Sequence, residues 1–181
     1  MVGYKYAMEI AESFCNEIKA FCEPPTPIIV GSLRRKRPMV NDIDIVVIPK
    51  IEKTKDDTLF GEPVDINILD RKLAELCFDD RMKIDVSGSK IKRFLEFDNS
   101  EVPIDVYIAD SETLPTLLLI RTGSKLHNIK LCVRARDMRL QLKANGEGLV
   151  DAQLRPIKVL SEEDIFKILG FAFVPPEGRN D

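Results

Sequence analysis

The sequence predicts an α+β fold: a mixed β-sheet with helices on one face, followed by a smaller α/β subdomain. One observation is an apolar stripe at helical spacing, which predicts an amphipathic helix over residues 5–21. A second is the β-branched run at 43–48, which is typical of a strand buried inside a sheet. Since each element has an apolar face to bury, we expect the helix to pack against the sheet.

The elements of the first half follow in chain order. Pro24 and Pro25 end the first helix, because the residue before a proline is disfavoured in helical conformation. Leucines at helical spacing predict a second helix over residues 69–78. The strands of the sheet are expected near 27–31, 43–48, 83–87, 90–97 and 102–108.

The second half is expected to begin near residues 111–115, which divides the chain into subdomains 1–112 and 113–181. A helix is expected over 124–138, followed by a short hairpin with Asn145-Gly146 as its turn. Ser161 is expected to begin the last helix, since its hydroxyl can accept a hydrogen bond from a free backbone amide.

Composition is that of a globular protein with a core of its own. The chain has 181 residues, of which 44% are hydrophobic, and no apolar run approaches the ~18 residues of a membrane span. The N-terminus carries charges at helical spacing and lacks the apolar segment of a signal peptide. We therefore expect an intracellular, monomeric protein that does not contact membranes.

Charge is distributed unevenly along the chain. The net charge of −3 is not the basic balance typical of nucleic-acid-binding proteins. Residues 121–143 nevertheless hold seven basic side chains against one acidic, and further basic clusters occupy 34–37 and 90–93. Such runs are often solvated surface, but three of them in one chain favour contact with a polyanion.

Three aspartates are the strongest candidates for chemistry. Asp42 and Asp44 lie at the head of an apolar strand, and alternate side chains of a strand point to the same face. Asp105 lies in a second apolar strand. Carboxylates are seldom placed in buried strands without partners, and Mg²⁺ takes oxygen ligands that it shares with substrate phosphates. The pattern predicts a two-metal site for phosphoryl or nucleotidyl transfer.

A phosphate-binding turn is predicted ten residues before these aspartates. Gly31 and Ser32 end an apolar stretch, where glycine lets the backbone approach a ligand and the amides and hydroxyl can face a phosphate. Arg34 and Arg35 follow with permanently charged, planar donors suited to phosphate.

Three segments together resemble family X DNA polymerases, the group that contains DNA polymerase beta. Gly31-Ser32-Leu33-Arg34-Arg35 followed by Asp42-Ile43-Asp44 resembles the family's palm signature. Residues 121–129, Arg-Thr-Gly-Ser-Lys-Leu-His-Asn-Ile, are similar to its Thr-Gly-Ser turn and nucleotide-selecting helix. Residues 161–166 and 175–177 resemble its C-terminal end. The matches occur in family order and span most of the chain.

The resemblance implies a catalytic palm, 1–112, and a nucleotide-selecting C-terminal subdomain, 113–181. It implies that Asp42, Asp44 and Asp105 hold two Mg²⁺ ions, with Mn²⁺ as an alternative. The implied activity is template-directed addition of a nucleotide to a primer 3′-hydroxyl with release of pyrophosphate, in short-gap DNA repair. The implied partners are gapped or primer–template DNA and a dNTP, in the cytoplasm, a nucleoid or a viral factory.

Two sets of binding residues accompany this assignment. The predicted nucleotide-binding residues are Gly31, Ser32, Arg35, Thr122, Gly123, Ser124 and Asn128. The predicted DNA contacts, drawn from the basic clusters, are Lys90, Lys92, Arg93, Lys125, Arg134 and Arg136.

The chain departs from the family pattern at three points. Ile120 and Arg121 stand where many members have an aromatic pair that helps to exclude ribonucleotides, so we expect weak sugar discrimination and use of an rNTP. Pro103 replaces a basic residue two positions before Asp105. About 26 residues precede the first predicted strand, so 5′-deoxyribose-phosphate lyase activity is not expected, and an accessory repair protein is a candidate partner for DNA binding.

Alternatives remain open from the sequence alone. The shared Gly-Ser and Asp-x-Asp features also suit a nucleotidyltransferase that acts on an RNA end, a protein or a small molecule, or a template-independent terminal transferase. A non-catalytic nucleotide-binding module would be expected to lack one of the three aspartates, and all three are present.

Overall fold

The computed structural model describes residues 1–54 and 64–180. This part of the chain contains six helices: α1 Tyr4–Ile18, α2 Gly31–Arg34, α3 Ile68–Phe78, α4 Leu114–Thr122, α5 Lys125–Asp137 and α6 Glu162–Ile168. Its strands are β1 Val2–Gly3, β2 Ile28–Ile29, β3 Met39–Val40, β4 Ile43–Val47, β5 Ile51–Thr54, β6 Val64–Asn67, β7 Met82–Ser87, β8 Ile91–Phe97, β9 Ile104–Ile108, β10 Gln141–Leu142, β11 Leu149–Val150 and β12 Pro156–Ile157.

A five-stranded mixed sheet forms the centre of the first half. Its strands lie in the order β2-β4-β9-β8-β7. β4 and β9 run parallel, whereas β2–β4, β9–β8 and β8–β7 pair antiparallel. Two short pairs, β1–β3 and β5–β6, lie outside this sheet.

Helices α1 and α3 cover one face of the sheet. Side chains from both helices meet alternate residues of β4, β8 and β9 in one apolar core. Phe14 of α1 and Phe97 of β8 pack edge to face, with ring centroids 5.2 Å apart. Ile43 and Ile45 of β4 and Ile104 of β9 point into this core. Because side chains alternate along a strand, their neighbours on each strand point to the opposite face.

Helix α4 lies against that opposite face. Leu117 packs with Val46 and Tyr107 of the sheet, whereas Leu119 and Ile120 enter a separate core in the second half. One helix therefore contributes to the cores of both halves, and the division into 1–112 and 113–181 stays a prediction.

The second half packs α5 and α6 against a small antiparallel sheet, β10-β11-β12. Leu131 and Ala135 of α5 and Ile165 and Phe166 of α6 belong to its core. Ser161 accepts a hydrogen bond from the Asp164 amide at 3.1 Å, which caps α6 as predicted.

The fold class predicted from the sequence is confirmed, with corrections at the ends of elements. Helix α1 ends at Ile18, and a 3-10 turn, Lys19–Phe21, completes the stretch predicted as helical. The strand predicted at 27–31 is confined to Ile28–Ile29, because Gly31 already begins α2. Within the described residues, no helix is long and apolar enough to cross a membrane.

Candidate active site

The parallel strands β4 and β9 bring two of the three predicted aspartates side by side. Asp44 and Asp105 are register partners on these strands, and Asp42 lies just before β4. Both register partners point away from the core of α1 and α3, since their neighbours Ile43, Ile45, Ile104 and Val106 point into it. Asp105 is only 2% exposed. An acidic cluster therefore lies on the sheet face opposite α1 and α3.

Two other side chains hold these carboxylates. The Arg93 guanidinium donates from Nε to Asp105 Oδ1 and from Nη2 to Oδ2, both at 2.6 Å. The Tyr107 hydroxyl is within hydrogen-bond distance of Asp44 Oδ1, at 3.1 Å, and of Asp105 Oδ2, at 3.2 Å. Across residues 1–54 and 64–180, no three Asp, Glu, His or Cys side chains stand close enough together to hold a metal ion as they are.

The electrostatics are those of a carboxylate cluster that needs a cation. Burial, and then the charge of Asp42, raise the pKa of Asp44 to about 6. Burial, and then the charge of Asp105, raise the pKa of Asp42. Burial and the neighbouring Asp44 carboxylate also raise the pKa of Tyr107, which keeps its hydroxyl protonated. Bound divalent cations would relieve this repulsion.

The predicted phosphate turn lies directly beside Asp44. Gly31 has φ +63°, and a side chain at this position would overlap the Asp44 carboxylate. Glycine is therefore required both by backbone conformation and by this close approach. Ser32 Oγ is buried and has no hydrogen-bond partner among the described residues. A buried hydroxyl is rarely left unpaired, so this atom fits a ligand oxygen.

The two arginines after the turn have different surroundings. Arg34 donates to Thr122 Oγ1 at 2.6 Å and to Glu162 Oε2 at 2.5 Å, so it joins α2 to α4 and α6. Arg35 donates to the Thr122 carbonyl oxygen and, at 3.3 Å, to Asn180 Oδ1. Arg35 also lines a cleft together with Asp44.

Two adjoining clefts surround these groups. The carboxylate cleft, about 550 Å³, is lined by residues that include Gly31, Ser32, Arg35, Asp42, Asp44 and Arg121. The α5 cleft, about 900 Å³, is lined by residues that include Arg35, Arg121, Gly123, Ser124, Lys125, Asn128, Ile129 and Arg136. Arg35 and Arg121 line both clefts, so the phosphate turn and the predicted nucleotide-selecting helix lie along adjoining clefts.

Several predicted binding residues lie elsewhere or have other partners. Thr122 is fully buried, and its hydroxyl accepts from Arg34. Arg134 donates to the Leu169 carbonyl oxygen at 2.9 Å. Lys92 is 12% exposed and forms an ion pair with Asp70 at 3.2 Å.

The other predicted residues are placed as follows. Lys90 is exposed in the turn between β7 and β8. Ser124 caps α5 by accepting from the His127 amide at 3.3 Å. Asn128 donates to the Ile120 carbonyl oxygen at 2.7 Å, and its own buried Oδ1 has no partner among the described residues.

Sequence reasoning did not assign Tyr107 and Arg121 to the site. The Arg121 guanidinium lies 4.1 Å from the centre of the Tyr107 ring, a cation–π contact that joins α4 to β9. Alternation along β9 could have placed Tyr107 on the face of Asp105, two residues earlier. The Arg93–Asp105 bond depends on strand register, which local pattern does not give.

Comparison with known proteins finds related sequences. Residues 117–180 match the family model of the DNA polymerase beta thumb. Repair DNA polymerase X of African swine fever virus is 30% identical over 153 residues, which cover 84% of this chain and 80% of that protein. DNA polymerase/3′-5′ exonuclease PolX of Bacillus subtilis is 28% identical over 176 residues, 96% of this chain and 28% of that protein.

Solved structures share the fold. The crystal structure of Leishmania infantum polymerase beta in a ternary P/T complex superposes with a TM-score of 0.77 at 17% identity, covering 99% of this chain and 77% of that one. Its ternary gap complex gives the same TM-score at 16% identity and covers 71% of that chain. The sequence relationship to the viral polymerase shows the family: the chain belongs to the family X DNA polymerases.

Proposed function

We propose that this protein is a template-directed, divalent-metal-dependent DNA polymerase that fills short gaps during repair. One observation carries the proposal: register places Asp44 beside Asp105, and Gly31 and Ser32 form a turn against the same Asp44 carboxylate. Carboxylates for a metal and a turn for a phosphate are the two parts that nucleotidyl transfer needs at one place.

Asp42, Asp44 and Asp105 are the residues that would hold the metal ions. Their donors are carboxylate oxygens, which suit Mg²⁺ and also Mn²⁺, and the unpaired Ser32 Oγ beside them fits a phosphate oxygen. Two bound divalent cations would polarise the phosphate and offset the charge that develops on its oxygens. The protein's own part is to position these groups in a half-buried cleft where such interactions are strong.

Ser32 and Arg35 are proposed to bind the outgoing β- and γ-phosphates. Ser32 and Arg35 line the same cleft as Asp44. Donors at this position would stabilise negative charge as pyrophosphate leaves. Asp105 is proposed to lie near the primer 3′-hydroxyl and to assist its deprotonation.

The α5 cleft is proposed to hold the incoming nucleotide and its template partner. Its lining includes the cations Arg35, Arg121, Lys125 and Arg136, and no acidic side chain among the described residues. A cleft of this charge attracts a polyanion, with an affinity that falls steeply as salt is added. Gly123, Ser124 and Asn128, which also line this cleft, are the proposed sugar and base contacts.

Weak discrimination between deoxyribose and ribose remains part of the proposal. Ile120 is 7% exposed and packs in the core of the second half. Arg121 lies over Tyr107. Neither residue presents an aromatic edge to the cleft, so an rNTP is proposed as a second substrate beside dNTPs. The monomeric state, intracellular location and accessory repair protein stay predictions.

Primer extension on a duplex with a one-nucleotide gap tests the proposal. Each dNTP and rNTP is offered separately with Mg²⁺ to the wild-type protein, to Asp105→Ala and to Asp85→Ala, a matched control on the exposed edge of the same sheet. We expect insertion of the complementary nucleotide, abolished by Asp105→Ala and retained by Asp85→Ala.

Other outcomes would redirect the assignment. Incorporation that ignores the template would indicate a terminal transferase. Absence of incorporation with every nucleotide, while metal-dependent nucleotide binding persists, would indicate an acceptor other than DNA. Equal activity of Asp105→Ala and wild type would refute the proposed centre.

A further inference from the structure

Arg93 makes the strongest polar contact to the carboxylate cluster. It is the register partner of Asp105 across the antiparallel β8–β9 pair, so both side chains stand on the same face of the sheet. Both Asp105 oxygens accept a hydrogen bond from its guanidinium at 2.6 Å. This fork-to-fork geometry fixes the plane of the carboxylate as well as its charge.

The strand that carries Asp105 offers no cation of its own. Pro103 is the preceding residue on the same face, and Tyr107 is the following one. Asp105 has a side chain only 3% exposed, whereas that of Arg93 is 39% exposed. A buried carboxylate without a partner is unfavourable, and β8 supplies the missing cation from the side.

The Arg93 guanidinium also lies near a second carboxylate of the cluster, that of Asp42. Arg93 Nη2 lies 3.9 Å from Asp42 Oδ2. One cation therefore lies between the aspartate of β9 and the aspartate that precedes β4. Each carboxylate oxygen has two lone-pair positions. On Asp105 Oδ2 these face Arg93 and the Tyr107 hydroxyl, whereas on Oδ1 the bond from Arg93 leaves one position for a further ligand.

We propose that Arg93 is a positioning residue for Asp105 and not a contact to the DNA backbone. It fixes the orientation of the Asp105 carboxylate beside Asp44, so that Oδ1 keeps a lone pair for a further ligand. This inference rests on the proposed function, because the effect of misplacing Asp105 is measured as a loss of nucleotide insertion. It replaces the DNA contact that the basic cluster at 90–93 predicts for this residue.

Two measurements separate the two roles. Single-turnover insertion into gapped DNA reports the orientation of Asp105, with the KM for the nucleotide measured alongside. Binding of the same gapped duplex over a range of salt concentrations, without metal or nucleotide, reports contact with phosphate. The variants are Arg93→Ala and Arg93→Lys, with Lys83→Ala as the control that removes an exposed cation from the neighbouring strand.

For Arg93→Ala we expect a maximal insertion rate about 10–100-fold lower, the usual cost of removing a partner that orients a metal ligand. The KM, the DNA affinity and its salt dependence should match wild type. Arg93→Lys should stay slow despite its charge, because one ammonium cannot form the two-pronged bond. Lys83→Ala should match wild type in every measurement.

The opposite pattern would overturn the inference. If Arg93→Ala inserts at the wild-type rate with saturating DNA, but its salt slope falls by about one, Arg93 contacts phosphate. Arg93→Lys and Arg93→Gln give the same comparison if Arg93→Ala does not fold, as judged by thermal unfolding. A wild-type protein that inserts no nucleotide would refute the proposed function itself, which distinguishes that failure from failure of the inference.

Discussion

Replacement of Gly31 by alanine tests how the phosphate turn and the carboxylates depend on one another. The residue combines two features: φ is +63°, and an added Cβ would overlap the Asp44 carboxylate. Backbone strain alone should lower stability, whereas the overlap should also displace Asp44. Both effects follow from one added methyl group.

The two effects have different magnitudes and different readouts. An unfavourable backbone conformation for a residue with a side chain costs about 1–3 kcal/mol of unfolding free energy. Displacement of Asp44 by about 1 Å should lower the insertion rate by about 100-fold, because reacting groups must be closely aligned. Gly31→Ala should therefore lose both stability and activity.

Two other glycines of the chain separate these causes. Gly148 has φ +123° and open space where a Cβ would lie, so Gly148→Ala introduces strain without overlap. Gly3 has neither feature, and Gly3→Ala should change stability by less than about 0.5 kcal/mol. Urea unfolding gives the stabilities, and single-turnover gap filling gives the rates. The reasoning is refuted if Gly31→Ala inserts nucleotide at the same rate as Gly148→Ala.

Three further predictions concern the buried Glu162–Arg179 pair, the carboxylates and the α5 cleft. Glu162→Ala should lower the unfolding free energy by about 3–5 kcal/mol, because it leaves the fully buried Arg179 guanidinium without its carboxylate; chemical denaturation measures this. Mg²⁺ should raise the Tm of the metal-free protein more at pH 7.5 than at pH 5. The pKa of Asp44 is raised to about 6, so below that pH the metal must first displace a proton from this carboxylate. Arg136→Ala should weaken gapped-DNA binding and lower its salt slope by about one.

Each of these has a control and a contradicting result. Glu177→Ala breaks an exposed pair with Lys36 and should leave the unfolding free energy almost unchanged. An equal loss of stability in both variants would contradict the importance of burial for the Glu162–Arg179 pair. Asp44→Asn should remove most of the pH dependence of the Mg²⁺ effect, and its persistence would assign that dependence to another group. Arg155 is paired to Asp151, so Arg155→Ala should leave DNA binding unchanged. If Arg155→Ala changed the salt dependence of DNA binding as much as Arg136→Ala does, the α5 cleft would not be a specific DNA contact.

The raised pKa of Asp44 also has a consequence for the protein without metal. Between about pH 4 and pH 6 the folded state holds a proton that the unfolded chain has released. The stability contributed by this group is therefore present at low pH and is lost as the pH rises through about 6. Stability at neutral pH should depend on metal for the same reason.

Elements with local patterns could be predicted from the sequence. Helices α1, α3, α5 and α6 and strands β4, β8 and β9 lie where periodicity and caps place them, within a few residues. The turn at Asn145-Gly146 likewise joins β10 and β11 as expected.

Helix α4 was not predicted, and its composition explains why. Its residues include Leu117, Leu118, Leu119 and Ile120 in succession, which gives no amphipathic period. The structure shows that it is buried between the two halves, where a helix needs apolar residues around most of its surface. The short pairs β1–β3 and β5–β6 depend on long-range pairing that local pattern does not show.

The site was predictable where its residues share one strand or one turn. Asp42 and Asp44 with Gly31 follow from alternation and spacing along the chain. Arg93 could not be assigned to Asp105, because that pair depends on the register between β8 and β9. The sequence pattern identifies the candidate residues, and the pairing of strands determines which of them are in contact.

Anomalous diffraction from Mn²⁺ tests the central assignment most directly. Crystals of the protein with gapped DNA, a non-hydrolysable complementary nucleotide and Mn²⁺ would locate metal and phosphates together. We expect two Mn²⁺ ions bounded by Asp42, Asp44 and Asp105, with the nucleotide phosphates at Ser32 and Arg35. Mn²⁺ bound elsewhere, or a nucleotide seated away from the turn at Gly31, would contradict the account.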